Sequence, residues 1–386
     1  MEKRIETFLK NREKSGLIRR LNEVELGKDA RILVAGKEYI NFSSNDYLGL
    51  SAHPDIINAA GVGSRPVFGS SSSRLMTGST IRHHLLEEKI ANLKQKPAAL
   101  IFNSGYQANV GVISALCGRD DVIFADRLVH ASIVDGIKLS GARLIRFKHN
   151  DTGHLEKLLF TERKKYKGSL IVTETVFSMD GDIAPIKDIV MLKKKYDSML
   201  MVDEAHATGI FGKNGAGILE QAGLSSVCDV VMGTFSKALG GFGAYVAVSA
   251  CIRDYLVNTC RSFIYSTALP VAVINADLAA LDVLDKEPNR RKVLLSRAEY
   301  LRNCLHENGF ITKGESQIVP VIIGDPNATV CLSESLQRKG YWVTPVRPPT
   351  VPEATSRLRI CVTYDHTEDI LKRFSGCLKE AYADTV

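Results

Sequence analysis

Met199-Leu-Met-Val-Asp203-Glu-Ala-His206 and Val230-Val-Met-Gly-Thr234-Phe-Ser-Lys237 decide how this chain folds. Each is a short apolar run that stops abruptly at polar side chains. An apolar run without alternation predicts a strand covered on both faces, as in a parallel sheet. Runs of the same kind occur at 121–125, 143–147, 169–174, 229–234 and 244–248, and helical patterns such as 185–196 separate most of them. Strand–helix alternation builds an α/β layer around a mainly parallel sheet, whose ligands bind at the carboxyl ends of the strands. Glu174 and Ser178, Asp203 and His206, and Thr234 through Lys237 each stand just past such a strand.

Working outward, residues 1–45 read as a helix followed by a short hairpin, with strands at 31–34 and 39–42 turning near Gly36-Lys37. The Gly/Ser-rich stretch 61–78 is too apolar at its edges for a linker and reads as a working loop. Helical patterns cover 80–94 and begin again after Gly105. The segment Leu284-Asp-Lys-Glu-Pro-Asn-Arg-Arg291 marks a break. Beyond it lie strand-like runs at 318–323 and 358–362 and helical patterns at 330–339 and 367–381. The expected organisation is an N-terminal helix and hairpin (1–45), a large α/β domain (46–283) and a smaller C-terminal α+β domain (284–386).

Composition narrows the classes. A chain of 386 residues with 45% hydrophobic and 24% charged content is long enough for two globular domains. A net charge of +7 is modest at this length, and no basic run has the density of a nucleic-acid arm. Lys193, Lys194 and Lys195 read as a solvated helix face. Eight cysteines are scattered without C-x-x-C spacing, which speaks against a zinc or thioredoxin-type motif and for buried reduced thiols. The charged N-terminus has no signal-peptide core, and no run of about 18 apolar residues occurs, so a cytoplasmic location is expected.

The chemistry starts from Asp203 and Lys237. A carboxylate ending one strand and a lysine after another can meet at one pocket, and pyridoxal phosphate (PLP) requires that pair. The lysine binds the aldehyde as a Schiff base, and the carboxylate keeps the pyridine nitrogen protonated so that the ring draws electrons from Cα. Asp203-Glu-Ala-His206 also spells the box of DEAH helicases, but no Gly-Lys here is followed by Ser or Thr, so the triphosphate loop is missing. Metal binding by Asp203 and His206 would need further ligands, and no cluster accompanies them. Gly240-Gly-Phe-Gly243 after Lys237 implies close backbone packing rather than a surface lysine. Asn103-Ser-Gly105-Tyr106-Gln-Ala-Asn109 opens a helix after an apolar run, where free N–H groups and the helix dipole suit a phosphate. His130 follows a strand and offers a face to an aromatic ring, and Ser178 offers a hydrogen bond to a ring hydroxyl oxygen.

Together with Asn41-Phe-Ser-Ser-Asn45-Asp-Tyr-Leu-Gly-Leu50, Tyr265-Ser-Thr267 and Arg347-Pro-Pro-Thr-Val-Pro352, these motifs resemble the α-oxoamine synthases, a PLP family of aminotransferase type I fold. The likeness runs from about residue 17 to the C-terminus. It implies that Lys237 carries the cofactor, Asp203 pairs with the pyridinium nitrogen, Ser178 and His206 contact the ring oxygen, and His130 stacks on the ring. Gly105, Tyr106 and Thr234 fall on the phosphate side, with Ser266 and Thr267 lent by the partner subunit of a homodimer. Asn45 and Arg359 are implied to hold the amino-acid carboxylate, and Arg19, Thr350 and the Pro-rich loop the acyl substrate. In the glycine-rich segment of the family, Gly69-Ser-Ser-Ser-Ser73-Arg74 has serines instead of glycines.

The Arg347–Pro352 segment is most similar to the biotin-pathway members. It implies a decarboxylative condensation of L-alanine with a pimeloyl thioester carried by coenzyme A or acyl carrier protein. The alternative within the family is glycine with acetyl-CoA.

Overall fold

The chain is described by a computed structural model covering residues 1–61 and 69–385, and it divides into two compact units. The larger comprises Leu50–Ser178 and Ile183–Arg291; the smaller comprises Met1–Gly49, Met179–Asp182 and Lys292–Val386.

The larger unit is built on a seven-stranded sheet. In spatial order its strands are Ala98–Phe102, Ala244–Val248, Val230–Thr234, Met199–Asp203, Ser169–Glu174, Val122–Asp126 and Arg143–Phe147. The last five run parallel to one another, and Ala244–Val248 is antiparallel to both of its neighbours. The mainly parallel sheet is thus present. Its inner strands are covered on both faces, as unbroken apolar runs require: Ile123 and Phe124, Ile171 and Val172, Leu200 and Met201, and Val231 and Met232 point to opposite faces in pairs and are all buried, whereas the edge strand Arg143–Phe147 is largely uncovered. Helices Gly105–Leu116 and Ala131–Ser140 contribute Val112, Ile113, Ile133 and Ile137 to the core on one face.

The register aligns the strand ends. Glu174 lies opposite Asp203, and Asp203 opposite Met232. The chain leaving each strand is then tied to its neighbour: Thr175 N–H donates to Asp203 O (3.0 Å) and Glu204 N–H to Met232 O (2.8 Å). Beneath this edge Glu204 points away into the core, where Lys94 Nζ reaches its carboxylate at 2.8 Å and Thr208 Oγ1 at 2.9 Å.

The smaller unit holds a four-stranded sheet ordered Glu25–Leu26, Arg31–Val34, Lys37–Asn41 and Tyr341–Trp342, and a three-stranded sheet ordered Ile318–Gly324, Ser356–Cys361 and Pro345–Val346. The hairpin expected at 31–34 and 39–42 forms with its second strand at Lys37–Asn41. Residues 1–45, expected to stand apart, share a unit with 292–386. Tyr341 and Trp342 pair in parallel with Ile40 and Asn41, and Phe42 stacks on Phe374 and His366 at 4.1 and 4.2 Å between ring centroids. The junction between units falls at 291/292 rather than 283/284, because helix Val271–Lys286 packs on helices Pro54–Gly61 and Ile81–Leu93 of the larger unit. The helix expected at 330–339 begins earlier, at Pro326, where Asp325 Oδ1 caps Ala328 N–H at 2.7 Å.

Two other expectations need correction. Cys251 and Cys331 are exposed, so the thiols are not uniformly buried, although all eight cysteines are free. Lys193 is not a solvated lysine: at 16% exposure it pairs with Asp229 at 2.9 Å, because the helix lays it across the loop entering the next strand. Among the described residues no helix is long and apolar enough to cross a membrane. Part of the Gly/Ser-rich stretch, residues 62–68, lies outside the described residues.

Candidate active site

At the carboxyl edge of the large sheet, consecutive strands end in Asp126, Glu174, Asp203 and Thr234, all buried. Three carboxylates this close would repel one another, and backbone donors hold them. Leu128 and Asn150 N–H donate to Asp126, His130 N–H to Glu174 at 2.6 Å, and Ala205 N–H to Asp203 at 2.8 Å. Burial first, and then the neighbouring Asp203, push Glu174 well above the usual carboxylate range.

Asp203 is further held by a side chain from the next layer. Asn109, buried in helix Gly105–Leu116, donates from Nδ2 to Asp203 Oδ2 at 3.0 Å and to Ser132 Oγ at 3.0 Å. Ser132 Oγ lies 2.7 Å from His130 Nδ1. His130 caps helix Ala131–Ser140, its Nδ1 accepting from Ser132 N–H at 3.2 Å. Although the residue is solvent-exposed, loss of hydration lowers the imidazole pKa from its ordinary value; Asp203 opposes that shift and the Lys237 charge adds to it. Lys237 lowers Glu174 as well. Glu174 therefore feels both the Asp203 carboxylate and the Lys237 amine at the same strand edge.

Lys237 is partly buried and lies 3.5 Å from Thr234 Oγ1. Its loop closes through Gly240 N–H to Lys237 O and Gly241 N–H to Phe235 O, both at 2.9 Å. Asp277 from helix Val271–Lys286 accepts from Phe242 N–H at 3.2 Å, and a Cβ at Gly241 would come within 1.9 Å of that carboxylate. Gly105 lies similarly close to Thr234, where a Cβ would meet Cγ2 at 2.9 Å. Tyr106 stands edge-on to His130 at 6.4 Å and bonds Asp135. Behind this turn, Gln107 donates to Ser266 Oγ at 2.7 Å and Asn103 to the Thr267 carbonyl at 2.8 Å. The serine-rich segment also meets these residues: Ser73 bridges Thr267, and Ala268 N–H donates to Ser72 O. Buried His206 sits in the turn after Asp203, and Ser178 follows the Val176–Ile183 bridge.

The other predicted residues gather in the smaller unit. Arg359 is buried on the central strand of the three-stranded sheet, where it donates to Asn45 Oδ1 (3.2 Å), Tyr47 OH (3.3 Å) and Cys361 Sγ (2.7 Å). Tyr47 OH also donates to Asn45 Oδ1 at 2.9 Å. Arg19 donates to Thr350 Oγ1 at 2.9 Å, joining the two residues predicted for the acyl side.

The sequence alone assigns no part to Asn109, Ser132 or Tyr47, and marks Glu174 only as a strand end. Asn109 leaves one signal: a poor helix former four residues after Gly105, inside a helix, kept there for its side chain.

Comparison with known proteins agrees with this geometry. Residues 37–375 match the family described as aminotransferase class I and II. The chain is 46% identical over 377 residues to the 8-amino-7-oxononanoate synthase of Geobacter sulfurreducens, covering 97% of this chain and 96% of that one. It is 44% identical over 354 residues to that of Chlorobaculum parvum, covering 90% of each. Among solved structures, serine palmitoyltransferase from Sphingomonas wittichii superposes with a TM-score of 0.93 at 30% identity, over 99% of this chain and 98% of that one. A serine palmitoyltransferase from S. paucimobilis, described with a bound PLP–myriocin aldimine, gives the same score and identity over 99% and 97%. With its strand-edge lysine and carboxylates set in that fold, the chain belongs to the class I and II aminotransferase family, in the group that includes the 8-amino-7-oxononanoate synthases.

Proposed function

We propose that this protein is a PLP-dependent acyltransferase that condenses L-alanine with a pimeloyl thioester, releasing CO₂ and giving 8-amino-7-oxononanoate for biotin synthesis. The residues present fit the cofactor. A primary amine, a carboxylate and an imidazole converge at one strand edge, and beside them a helix begins at a glycine approached so closely that no Cβ fits. First-turn amides and the helix dipole suit a phosphate there. The observation that carries the reading is that Lys237 follows the strand adjoining the one that Asp203 ends, and that Asp203 is joined through Asn109 and Ser132 to His130 at the same edge.

PLP, when bound, draws electrons from the amino-acid Cα and so stabilises a carbanion there. Lys237 would hold the cofactor covalently, and its amine, once free, would take the Cα proton as general base. Asp203 would keep the ring nitrogen charged, with Asn109 fixing the carboxylate. His130 would cover one face of the ring, and Ser178 and His206 would hydrogen-bond the ring oxygen. Gly105, Tyr106 and Thr234 hold the phosphate, while Ser266 and Thr267 serve the site of a partner copy in a homodimer. Arg359 and Asn45 grip the alanine carboxylate, where a planar guanidinium fixes orientation and so selects the Cα bond that breaks. Arg19 and Thr350 contact the acyl chain, which is carried by coenzyme A or acyl carrier protein.

The test is CO₂ release with alanine plus pimeloyl thioester, run beside glycine plus acetyl-CoA. Turnover only with the first pair supports the proposal; turnover only with the second moves the protein to another member of the group.

A further inference from the structure

Four hydrogen-bonding groups in the larger unit form one line, Asp203–Asn109–Ser132–His130, and donor bookkeeping fixes every proton along it. A carboxylate only accepts, so the Asn109 atom 3.0 Å from Asp203 Oδ2 is the amide nitrogen. Its second N–H goes to Ser132 Oγ, also at 3.0 Å. Since that hydroxyl accepts there, its own proton is available to His130 Nδ1 at 2.7 Å. A backbone amide can only donate, and Ser132 N–H points at the same Nδ1 at 3.2 Å. Nδ1 therefore carries a lone pair.

We propose that Asn109 is a positioning residue that couples Asp203 to His130, and that the Asn109–Ser132 pair locks His130 as the neutral imidazole with its proton on Nε2. The proposal rests on the reading above, in which these two residues flank the same cofactor ring. It deepens that reading by stating why neither can turn independently. Asn109 Nδ2 has two protons and both are committed, so any rotation of the carboxylate frees the serine hydroxyl and with it the imidazole. A cationic imidazole against a protonated pyridine would be repelled; a ring whose Nδ1 receives two donors resists protonation there. The charged and titratable groups facing His130 are Glu174 and Asp203 from the strand ends, Lys237 from the following loop and Tyr106 from the neighbouring helix start. Loss of hydration and the Lys237 charge oppose a second proton and Asp203 favours it; the two donors at Nδ1 add to the opposition.

The experiment is long-range ¹H–¹⁵N spectroscopy of the holoenzyme labelled with ¹⁵N-histidine, in which the His130 signals are those lost in His130→Gln. The expected spectrum shows Nε2–H with unprotonated Nδ1 from about pH 6 to 8. In Ser132→Ala the imidazole pKa rises by about one pH unit, the size expected for losing one hydrogen bond to the neutral form. Asn109→Ala weakens PLP binding about tenfold, and the double variant is no worse than the more affected single one, because the residues act as one chain. A wild-type signal protonated on Nδ1, or an imidazolium at neutral pH, overturns the proposal, as do additive effects in the double variant. The wild-type spectrum keeps the test decisive if Asn109→Ala does not fold. Normal visible absorbance from lysine-bound cofactor beside a wrong tautomer sinks this inference alone. The expected tautomer without that absorbance sinks the cofactor assignment instead.

Discussion

The two units treat buried charge in opposite ways. At the edge of the large sheet, carboxylates sit close together, and backbone amides, an asparagine and a lysine offset their repulsion. In the smaller unit the strand Ser356–Cys361 carries two arginines on one face, since residues two apart in a strand point the same way. Arg357 is neutralised by Asp180 at 2.8 Å, with the two side chains 4% and 14% exposed. Arg359 donates to the side chains of Asn45, Tyr47 and Cys361. On the reading proposed above Arg359 meets the amino-acid carboxylate, whereas Arg357, tied to Asp180, holds the structure together. Burial alone does not distinguish the two arginines.

The sharpest way to break this contrast is at Lys237. Lys237→Ala is expected to lose the visible cofactor absorbance and all turnover, checked by a spectrum and by CO₂ release; retention of both removes Lys237 from the site. Next come the paired arginines. Arg359→Ala should raise KM for the amino acid by about a hundredfold, in line with loss of a charge-assisted carboxylate contact. Arg357→Ala should leave that KM unchanged and instead lower stability by about 3–5 kcal/mol, as breaking a buried pair does. Urea unfolding beside steady-state kinetics separates the two, and an exchange of the two phenotypes would refute the division of labour.

Two smaller effects depend on pH. His366, stacked on Phe42 in the smaller unit, is pushed down to about 3 by burial. Unfolded, it takes up a proton near 6.5, so the unfolded state binds more protons between these values and stability falls as pH drops through that window. The melting temperature should decline over this range, and less steeply in His366→Gln. Asp277, beneath the lysine loop, has the opposite sign: burial raises its pKa well above the ordinary value despite the donor from Phe242. The fold then binds the extra proton, favourable stability is present at low pH, and it is lost as pH rises. Asp277→Asn should therefore melt higher than the parent at pH 8, by the few degrees that about 1 kcal/mol represents, with the gap closing in acid.

These contrasts also explain what the sequence could disclose. The large unit is legible because its site residues follow apolar runs immediately, so the amino-acid order alone puts Glu174, Asp203 and Thr234 through Lys237 at strand ends. The supporting residues are not legible in this way. Asn109 and Ser132 matter because two helices bring them to Asp203 and His130, and nothing local marks that meeting. In the smaller unit Arg359 and Asn45 come only from family resemblance, and Tyr47 not at all, since the strand that carries Arg359 meets residues 45–47 through long-range packing. The grouping of residues 1–45 with the C-terminal part goes unseen for the same reason: parallel pairing of Ile40 with Tyr341 leaves no mark in either segment.

The antiparallel strand Ala244–Val248 also governs the order of events during synthesis. Strand Ala98–Phe102 borders the sheet and has that late segment as its one neighbour within it. A nascent chain that has emerged only as far as the lysine loop leaves the earlier strand's ladder unmade, and the helix start at Gly105 hangs from that strand. Such distant pairing delays folding until loop closure is offset by contacts. The turn at Gly105 is thus expected to become rigid only after residue 248 has left the ribosome, and a truncated translation product ending before it would expose an apolar edge prone to aggregation.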